Sequence, residues 1–301
     1  MFEALEPSTS LCTGCPKMCR HACPVANAER RESVTPAMKM ATVDLVRRGV
    51  LPVLEETARS VEACTGCGAC AEFCLVGVEP GEALVTARSE LAAVSALPTA
   101  TRVRANLEGS GNPVGADLVT LHRERVPARA ERGALALWAG CTSLRRLPEF
   151  DGDTLAALEQ TTGNRLAVVP PAADAACCGY PLHAAGLVEE FTENARRVAR
   201  HLQGRGTVVT GDAGCAWTFN VLYPRAGVRL EQPARHAVQV MAEGLVSASG
   251  MQGVNLYHDG CHLGRKMGVY EEPRSVLARA TGAAPAEFTW NRSRAECCGA
   301  G

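Results

Sequence analysis

The chain has 301 residues, enough for two or three domains, each with its own core. A hydrophobic fraction of 47% and a charged fraction of 21% are those of a globular protein, and a formal net charge of −1 gives no footprint for a nucleic acid. Fifteen cysteines stand out. They fall in CxxC groups and Cys-Cys pairs, where neighbours are awkward to bridge, in a chain too large to need disulfide staples. Met1 is not followed by a basic start and apolar core, and no apolar stretch is long enough to span a bilayer. These features predict a cytoplasmic protein whose thiolates bind metal.

In chain order, residues 1–98 hold two dense cysteine runs with helix-like sequence between and after them. Leu45, Val46, Val50 and Leu54 supply apolar positions between the runs, and Glu82–Leu97 reads as a helix ended by Pro98. Residues 99–132 are polar, rich in Arg and Gly, and read as a connector with a turn at Gly111-Asn112-Pro113. From 133 onward, short apolar runs alternate with helix patterns. Ala134–Ala139, Leu166–Val169, Thr207–Thr210 and Val254–Tyr257 read as buried strands. Leu187–Leu202 reads as an amphipathic helix, with Glu189 and Glu190 in its first turn and Arg197 and Arg200 near its end. This alternation predicts α/β layers on a mainly parallel sheet, following a helical N-terminal part.

The first run is Cys12-x2-Cys15-x3-Cys19-x3-Cys23-Pro24 and the second is Cys64-x2-Cys67-x2-Cys70-x3-Cys74. A cubane cluster needs four converging soft thiolates; a tight loop supplies three, and in two-cluster ferredoxins the fourth comes from the other run. By that rule Cys12, Cys15, Cys19 and Cys74 hold one [4Fe–4S] cluster, and Cys64, Cys67, Cys70 and Cys23 hold the other. Zinc knuckles space their CxxC pairs more widely, so the pattern favours iron–sulfur. Lys17, Arg20, His21, Arg30 and Arg31 surround the first run; Glu62, Glu72, Glu79 and Glu82 surround the second. Positive charge favours the more negative reduced cluster, so the cluster nearer the basic run is expected to have the higher potential.

An internal repeat follows. Cys141 precedes Cys177-Cys178-Gly179 by 36 positions, and Cys261 precedes Cys297-Cys298-Gly299 by the same distance, a period of 120. Each first cysteine follows Gly and is followed four residues later by Arg (Arg145, Arg265). The first copy offers Cys141, Cys177, Cys178 and Cys215 as further metal ligands; the second offers Cys261, Cys297 and Cys298, with His258 and His262 beside Cys261. A counterpart of Cys215 would fall near position 335, so the second copy is expected to be incomplete. No GxGxxG followed by a suitably placed acidic residue is present, which predicts no flavin or nicotinamide of the chain's own.

These residues resemble the iron–sulfur oxidoreductases that combine an α-helical ferredoxin domain with two cysteine-rich CCG domains. That group includes the iron–sulfur subunit of glycolate oxidase and the corresponding subunits of anaerobic glycerol-3-phosphate dehydrogenase and heterodisulfide reductase. Gly111-Asn112-Pro113-Val114-Gly115 resembles the family's linker. Tyr257-His258-Asp259-Gly260-Cys261-His262-Leu263-Gly264-Arg265 resembles its HDPCHLGR-like motif, and Cys297-Cys298-Gly299-Ala300-Gly301 the start of CCGAGG. The family's CCG unit ends in CxxC, where this chain reads Asp212-Ala213-Gly214-Cys215, so the five-thiolate cluster of true heterodisulfide reductases is not expected there. The resemblance implies an α+β multidomain protein: a ferredoxin domain over 1–98 with two [4Fe–4S] clusters, a linker over 99–132, a first CCG unit over 133–250 with a further cluster, and an incomplete second over 251–301. It implies an electron-transfer subunit working with a flavoprotein dehydrogenase on another chain. Electrons would go to quinone or another carrier, with any membrane contact peripheral, at the inner face, through partners. Disulfide reduction at a CCG cluster is the alternative it allows.

Overall fold

Proline sets where several N-terminal helices begin. Pro24, Pro36, Pro80 and Pro98 open the helices Pro24–Glu29, Pro36–Arg47, Pro80–Ala93 and Pro98–Ser110, at a position where the missing N–H costs nothing. The computed structural model describes residues 1–94, 96–244 and 253–299. The helix expected over Glu82–Leu97 therefore starts at Pro80 and ends at Ala93, and Pro98 begins the next helix instead of closing this one. Val50 and Leu54 are exposed, not core, because the chain leaves the helix Pro36–Arg47 through a left-handed turn at Gly49. The core face is Met40 and Val43 packed with Leu84, Ala87 and Leu91. The connector at 99–132 holds two helices, Pro98–Ser110 and Leu118–Arg125. Between them Asn112 is buried; its amide donates to the carbonyls of Ser110 and Ala116, and its side-chain oxygen accepts from Val114 N.

Four strands form one parallel sheet: β1 (Leu135–Leu137), β2 (Ala167–Val168), β3 (Thr207–Thr210) and β4 (Arg235–His236), in the order β2-β1-β3-β4. A second parallel pair joins β5 (Leu256–Tyr257) to β6 (Ala286–Glu287). The sequence repeat is a structural repeat: Ala136 pairs with Ala167 in the first unit, and Leu256, 120 residues on from Ala136, pairs with Ala286 in the second. Strands β4 and β6 carry no apolar run, which is why the sequence pattern passes over them. The helix Val188–Leu202 buries Phe191, Ala195, Val198 and Leu202, the face its periodicity predicts. The architecture is α+β: helices first, then duplicated α/β units.

One apolar core runs from the N-terminal helices into the first α/β unit, from Phe2, Leu84 and Leu97 to Trp138, Phe191 and Phe219. The buried Arg88 fastens the seam. Its guanidinium donates to Ala184 O (2.7 Å), Val61 O (3.2 Å), Glu62 O (3.3 Å) and Cys64 O. Gly186 permits the approach: its φ is +75°, and a Cβ there would lie 2.5 Å from the Arg88 carbonyl carbon.

Candidate metal centres

The two N-terminal runs end in the same local fold. A single 3₁₀ turn, Arg20–Ala22 or Ala71–Phe73, delivers Cys23 at φ −85°, ψ 111° and Cys74 at φ −88°, ψ 110°. That extended backbone carries each fourth cysteine away from its own run. Cys74 comes to Cys12, Cys15 and Cys19: burial pushes the Cys12 thiol up to about 12, and repulsion from Cys19, Cys74 and Cys15 adds to it. On the other side, a narrow, mainly apolar cavity is lined by Cys23, Cys64, Cys67 and Cys70, with Lys39 in its wall. Burial raises the Cys70 thiol well above its usual value, with Cys64, Cys19, Cys67 and Cys23 as charged neighbours. The fold thus brings together the two four-cysteine groups expected from the sequence.

Lys39 is the residue that sequence reasoning missed. It is buried, with Nζ 2.9 Å from Ala63 O and 3.7 Å from Cys23 Sγ. A signal was present: it is a lone lysine within Ala37-Met38-Lys39-Met40-Ala41, an otherwise apolar helix face.

In the first α/β unit every cysteine follows the carboxyl end of a strand. Cys141 lies just beyond β1, Cys177 and Cys178 beyond β2, and Cys215 beyond β3. From β1 the strand order runs to β2 on one side and to β3 and β4 on the other, and at such a switch point open parallel sheets leave a crevice for ligands. Cys177 Sγ lies 3.3 Å from Cys141 Sγ, and Cys215 Sγ 3.3 Å from Cys178 Sγ. Gly179 takes φ +90°, and a Cβ on it would come within 2.7 Å of Asn194 Nδ2, so the Cys-Cys-Gly turn admits no other residue without strain. After Cys215 the helix Ala213–Trp217 widens into a π-turn over Thr218–Leu222, an irregularity that recurs at functional sites. Asp212, in the position of the missing cysteine, caps that helix: its Oδ1 accepts from Gly214 N (2.8 Å) and Cys215 N (3.1 Å).

The second unit faces both neighbours. Cys261 and Cys297 pack with Cys67 of the second run, and Thr65 Oγ1 lies 3.9 Å from Cys297 Sγ. The Cys67 thiol is raised first by its hydrogen bond with Cys297, then by burial. Cys298 is exposed and lines a cavity of about 260 Å³ between the two α/β units, with Cys261, His262, Cys141, Cys178, Asp212 and Cys215 also on its wall. His262 stacks on Trp217 (5.1 Å, 13°) and meets Tyr180 edge-on, and burial lowers its pKa to about 4. His258 turns outward, its Nε2 2.8 Å from Glu296 O. Gly299 N bonds Cys297 Sγ at 3.3 Å as Gly179 N bonds Cys177 Sγ at 3.5 Å. Ala300 and Gly301 of the CCGAGG-like end, and the 250/251 boundary, lie outside the described residues.

Two family descriptions match this chain: a 4Fe-4S dicluster domain over residues 8–78, and a cysteine-rich CCG domain over 135–220 and again over 255–301. The chain belongs to the iron–sulfur proteins that join a dicluster domain to CCG domains. It is similar to a fumarate reductase (CoM/CoB) subunit of Methanothermobacter marburgensis, at 29% identity over 82% of this chain and 50% of that one. It is also similar to a dihydromethanophenazine:CoB–CoM heterodisulfide reductase subunit of Methanosarcina barkeri, at 30% identity over 82% of this chain and 64% of that one. The EtfAB:quinone oxidoreductase of Syntrophomonas wolfei matches at 28% identity over 79% of this chain and 36% of that one. The chain spans half to just under two thirds of the length of the first two relatives. No solved structure matches it.

The donor chemistry fits iron–sulfur clusters. In the dicluster domain it consists of soft thiols alone, in two groups of four, one of them around an apolar cavity. Among the described residues no three His, Cys, Asp or Glu side chains converge on a point suited to a single metal ion. Among the same residues no helix is long and apolar enough to cross a membrane.

Proposed function

We propose that this chain is the electron-transfer part of an oxidoreductase complex. Electrons enter from a flavoprotein dehydrogenase on another chain, which oxidises a 2-hydroxy acid or polyol phosphate, and leave toward quinone or another carrier. The complex works in the cytoplasm, at the inner membrane face through its partners. Cys12, Cys15, Cys19 and Cys74 hold one [4Fe–4S] cluster; Cys23, Cys64, Cys67 and Cys70 hold the second; the CCG cysteines hold further iron–sulfur. Bound clusters supply reversible one-electron transfer without making or breaking substrate bonds.

The observation that carries this reading is the contact of Cys67 with Cys261 and Cys297. It puts a thiol of the second cysteine group against thiols of a CCG domain, so the two cofactor regions form one continuous path. Ala69 and Ala22 pack against that contact. Relatives named as a heterodisulfide reductase subunit and a quinone oxidoreductase support the same class. The test is anaerobic co-purification from the native host with iron and sulfide counted. A brown protein with a broad band near ~400 nm, reduced by substrate only when a flavoprotein is present, is expected. A colourless zinc protein removes the proposal.

The cavity between the CCG domains, lined by thiols of both, favours a second reading in which a disulfide is reduced there. Turnover of a thiol–thiol disulfide with reduced viologen by this chain alone decides between them.

A further inference from the structure

The first CCG domain offers four cysteines, but the fold does not use them alike. The wall of the cavity between the CCG domains takes Cys141, Cys178 and Cys215 from the first domain, and takes Asp212; Cys177 is not on it. Cys177 packs in the apolar core with Leu137, Leu144 and Leu155. Its sulfur donates to Cys141 Sγ at 3.3 Å and accepts from Gly179 N at 3.5 Å; Cys141 shares that core and Cys215 donates to Cys178 in the same way, so what sets Cys177 apart is its place off the cavity wall.

Asp212 has the opposite character. One oxygen is fixed by two backbone N–H groups, Gly214 at 2.8 Å and Cys215 at 3.1 Å, so the carboxylate is oriented before any ligand arrives. The other oxygen, Oδ2, has no hydrogen-bond or ion-pair partner among the described residues. It sits against Gly140, where a Cβ would lie 3.0 Å from it; glycine there leaves the carboxylate its place. No Lys or Arg pairs with Asp212 among the described residues. Asp212 thus brings to the cavity wall an oriented carboxylate with one oxygen uncommitted, which a positive centre bound in the cavity would meet. Iron accepts carboxylate as well as thiolate.

We propose that Asp212, and not Cys177, is the fourth protein ligand of the first CCG domain, so that its iron–sulfur cluster is bound by Cys141, Cys178, Cys215 and the Asp212 carboxylate. This rests on the reading that the domain holds iron–sulfur at all. One iron is then bound through oxygen, which distinguishes it from its thiolate-bound neighbours. The other wall, Gly260, Cys261, His262 and Cys298, faces the cluster from the second domain.

The test is ⁵⁷Fe Mössbauer spectroscopy, with iron, zinc and sulfide counted, on the anaerobically purified full chain and on D212C, D212A, C177S and C178S. The dicluster signals, present in every variant, report that each has folded; for a variant that loses them, D212N replaces D212A and C177A replaces C177S. Wild type and C177S are expected to show the same oxygen-ligated iron subsite. D212C should lose that subsite while keeping its iron, and C178S should lose the CCG component. If C177S loses the CCG component while D212C and D212A leave the spectrum unchanged, the ligand assignment is overturned and the iron–sulfur reading stands. Iron at about the eight atoms of two clusters in wild type, or zinc in its place, overturns the reading itself.

Discussion

Replacing Lys39 by Gln removes a buried charge from beside Cys23 while keeping a donor for Ala63 O. The Lys39 ammonium is 3.7 Å from Cys23 Sγ and lines the same cavity as Cys64, Cys67 and Cys70. Reduction adds one negative charge to the cluster these cysteines are proposed to hold. With that charge centred about 6 Å from the ammonium and an effective dielectric of about 20, the attraction is about 2.8 kcal/mol. For a one-electron couple this corresponds to about 120 mV, and solvent entering at the cavity mouth brings it to the order of 60 mV. The variant's second cluster should therefore fall in potential by about 60–120 mV.

The assay is a potentiometric titration followed by EPR, with Lys39→Met as companion. Gln keeps the hydrogen bond and Met does not, so an equal fall in both assigns the effect to charge. A shift below about 20 mV, or one shared equally by both clusters, refutes the reasoning, because the Coulomb argument requires a local effect. The buried charge argues for the opposite ordering of potentials to the one expected from sequence. Two of the basic groups of the first run are exposed and met by acids, Arg20 by Glu32 at 2.7 Å and Arg31 by Glu29 at 3.2 Å, and such pairs contribute little. Of the acids near the second run, Glu82 is matched by Lys266 (2.8 Å) and Arg225 (2.9 Å). The dominant charge is the buried one, so the second cluster should titrate at the higher potential.

Three further outcomes follow from the packing. Asp259 of the HDGCH stretch takes both oxygens to Arg274 (2.8 and 2.7 Å) and accepts from Arg292 N; D259A leaves the buried Arg274 with Glu287 as its remaining carboxylate and should destabilise the second CCG domain by about 1–3 kcal/mol, read as lost protection of residues 256–287 in hydrogen exchange. G186A forces a Cβ against the Arg88 backbone and should open the dicluster–CCG seam, seen as faster limited proteolysis with the cluster spectra kept. Burial raises the Asp151 carboxyl to about 6 from its ordinary 3.8, and its Oδ1 has no partner. The folded state therefore binds this proton more tightly than the unfolded state. The stabilisation is full below pH ~4 and is lost as pH rises to ~6, about 3 kcal/mol by neutrality. D151N should flatten that slope and raise the melting temperature at pH 7; an unchanged slope between pH 4.5 and 7 would count against it.

What was legible in the sequence was whatever repeats or alternates. The cysteine spacing pointed to two four-thiol groups with Cys23 and Cys74 crossing over, and the 3₁₀ turn that precedes each of these two cysteines is a local event. The 36-residue spacing pointed to the duplicated unit, and β1, β2, β3 and β5 announced themselves as apolar runs, although β5 is not the buried strand expected: Val254 and Leu256 are exposed. The rest depends on what lies opposite. Strand β4 is Arg235-His236 and β6 is Ala286-Glu287; they pair because a neighbouring strand offers its backbone. Cys177 and Cys178 look equivalent in sequence, yet in the loop between β2 and the helix Tyr180–Ala184 only Cys178 reaches the cavity. The ordering of potentials argued from burial differs from the one argued from sequence because sequence counts charges without their burial: Lys39 is buried, whereas Arg20, Arg30 and Arg31 are exposed.

The duplication is used unequally, and the dicluster domain is the reason. Arg145 and Arg265 stand at equivalent places, four residues past the first cysteine of each unit. Arg145 is exposed. Arg265 reaches across to Cys67 O at 2.9 Å and holds Ser293 O and Ala295 O at 2.9 and 2.6 Å, so one side chain fixes the loop before Cys297 to the loop that carries Cys67. Lys266, the next residue, bridges to Glu82 of the dicluster domain and lies over the Trp217 ring of the first CCG domain, 5.1 Å from its centroid. The second unit is thus the one that touches both of the others. Its Cys297 and Cys261 meet the dicluster thiols, and its His262 and Cys298 meet the first unit's cavity. Two copies of one fold provide a centre at a sheet crevice and a bridge to it, and the residues that separate these roles are Asp212 in one copy and Arg265-Lys266 in the other.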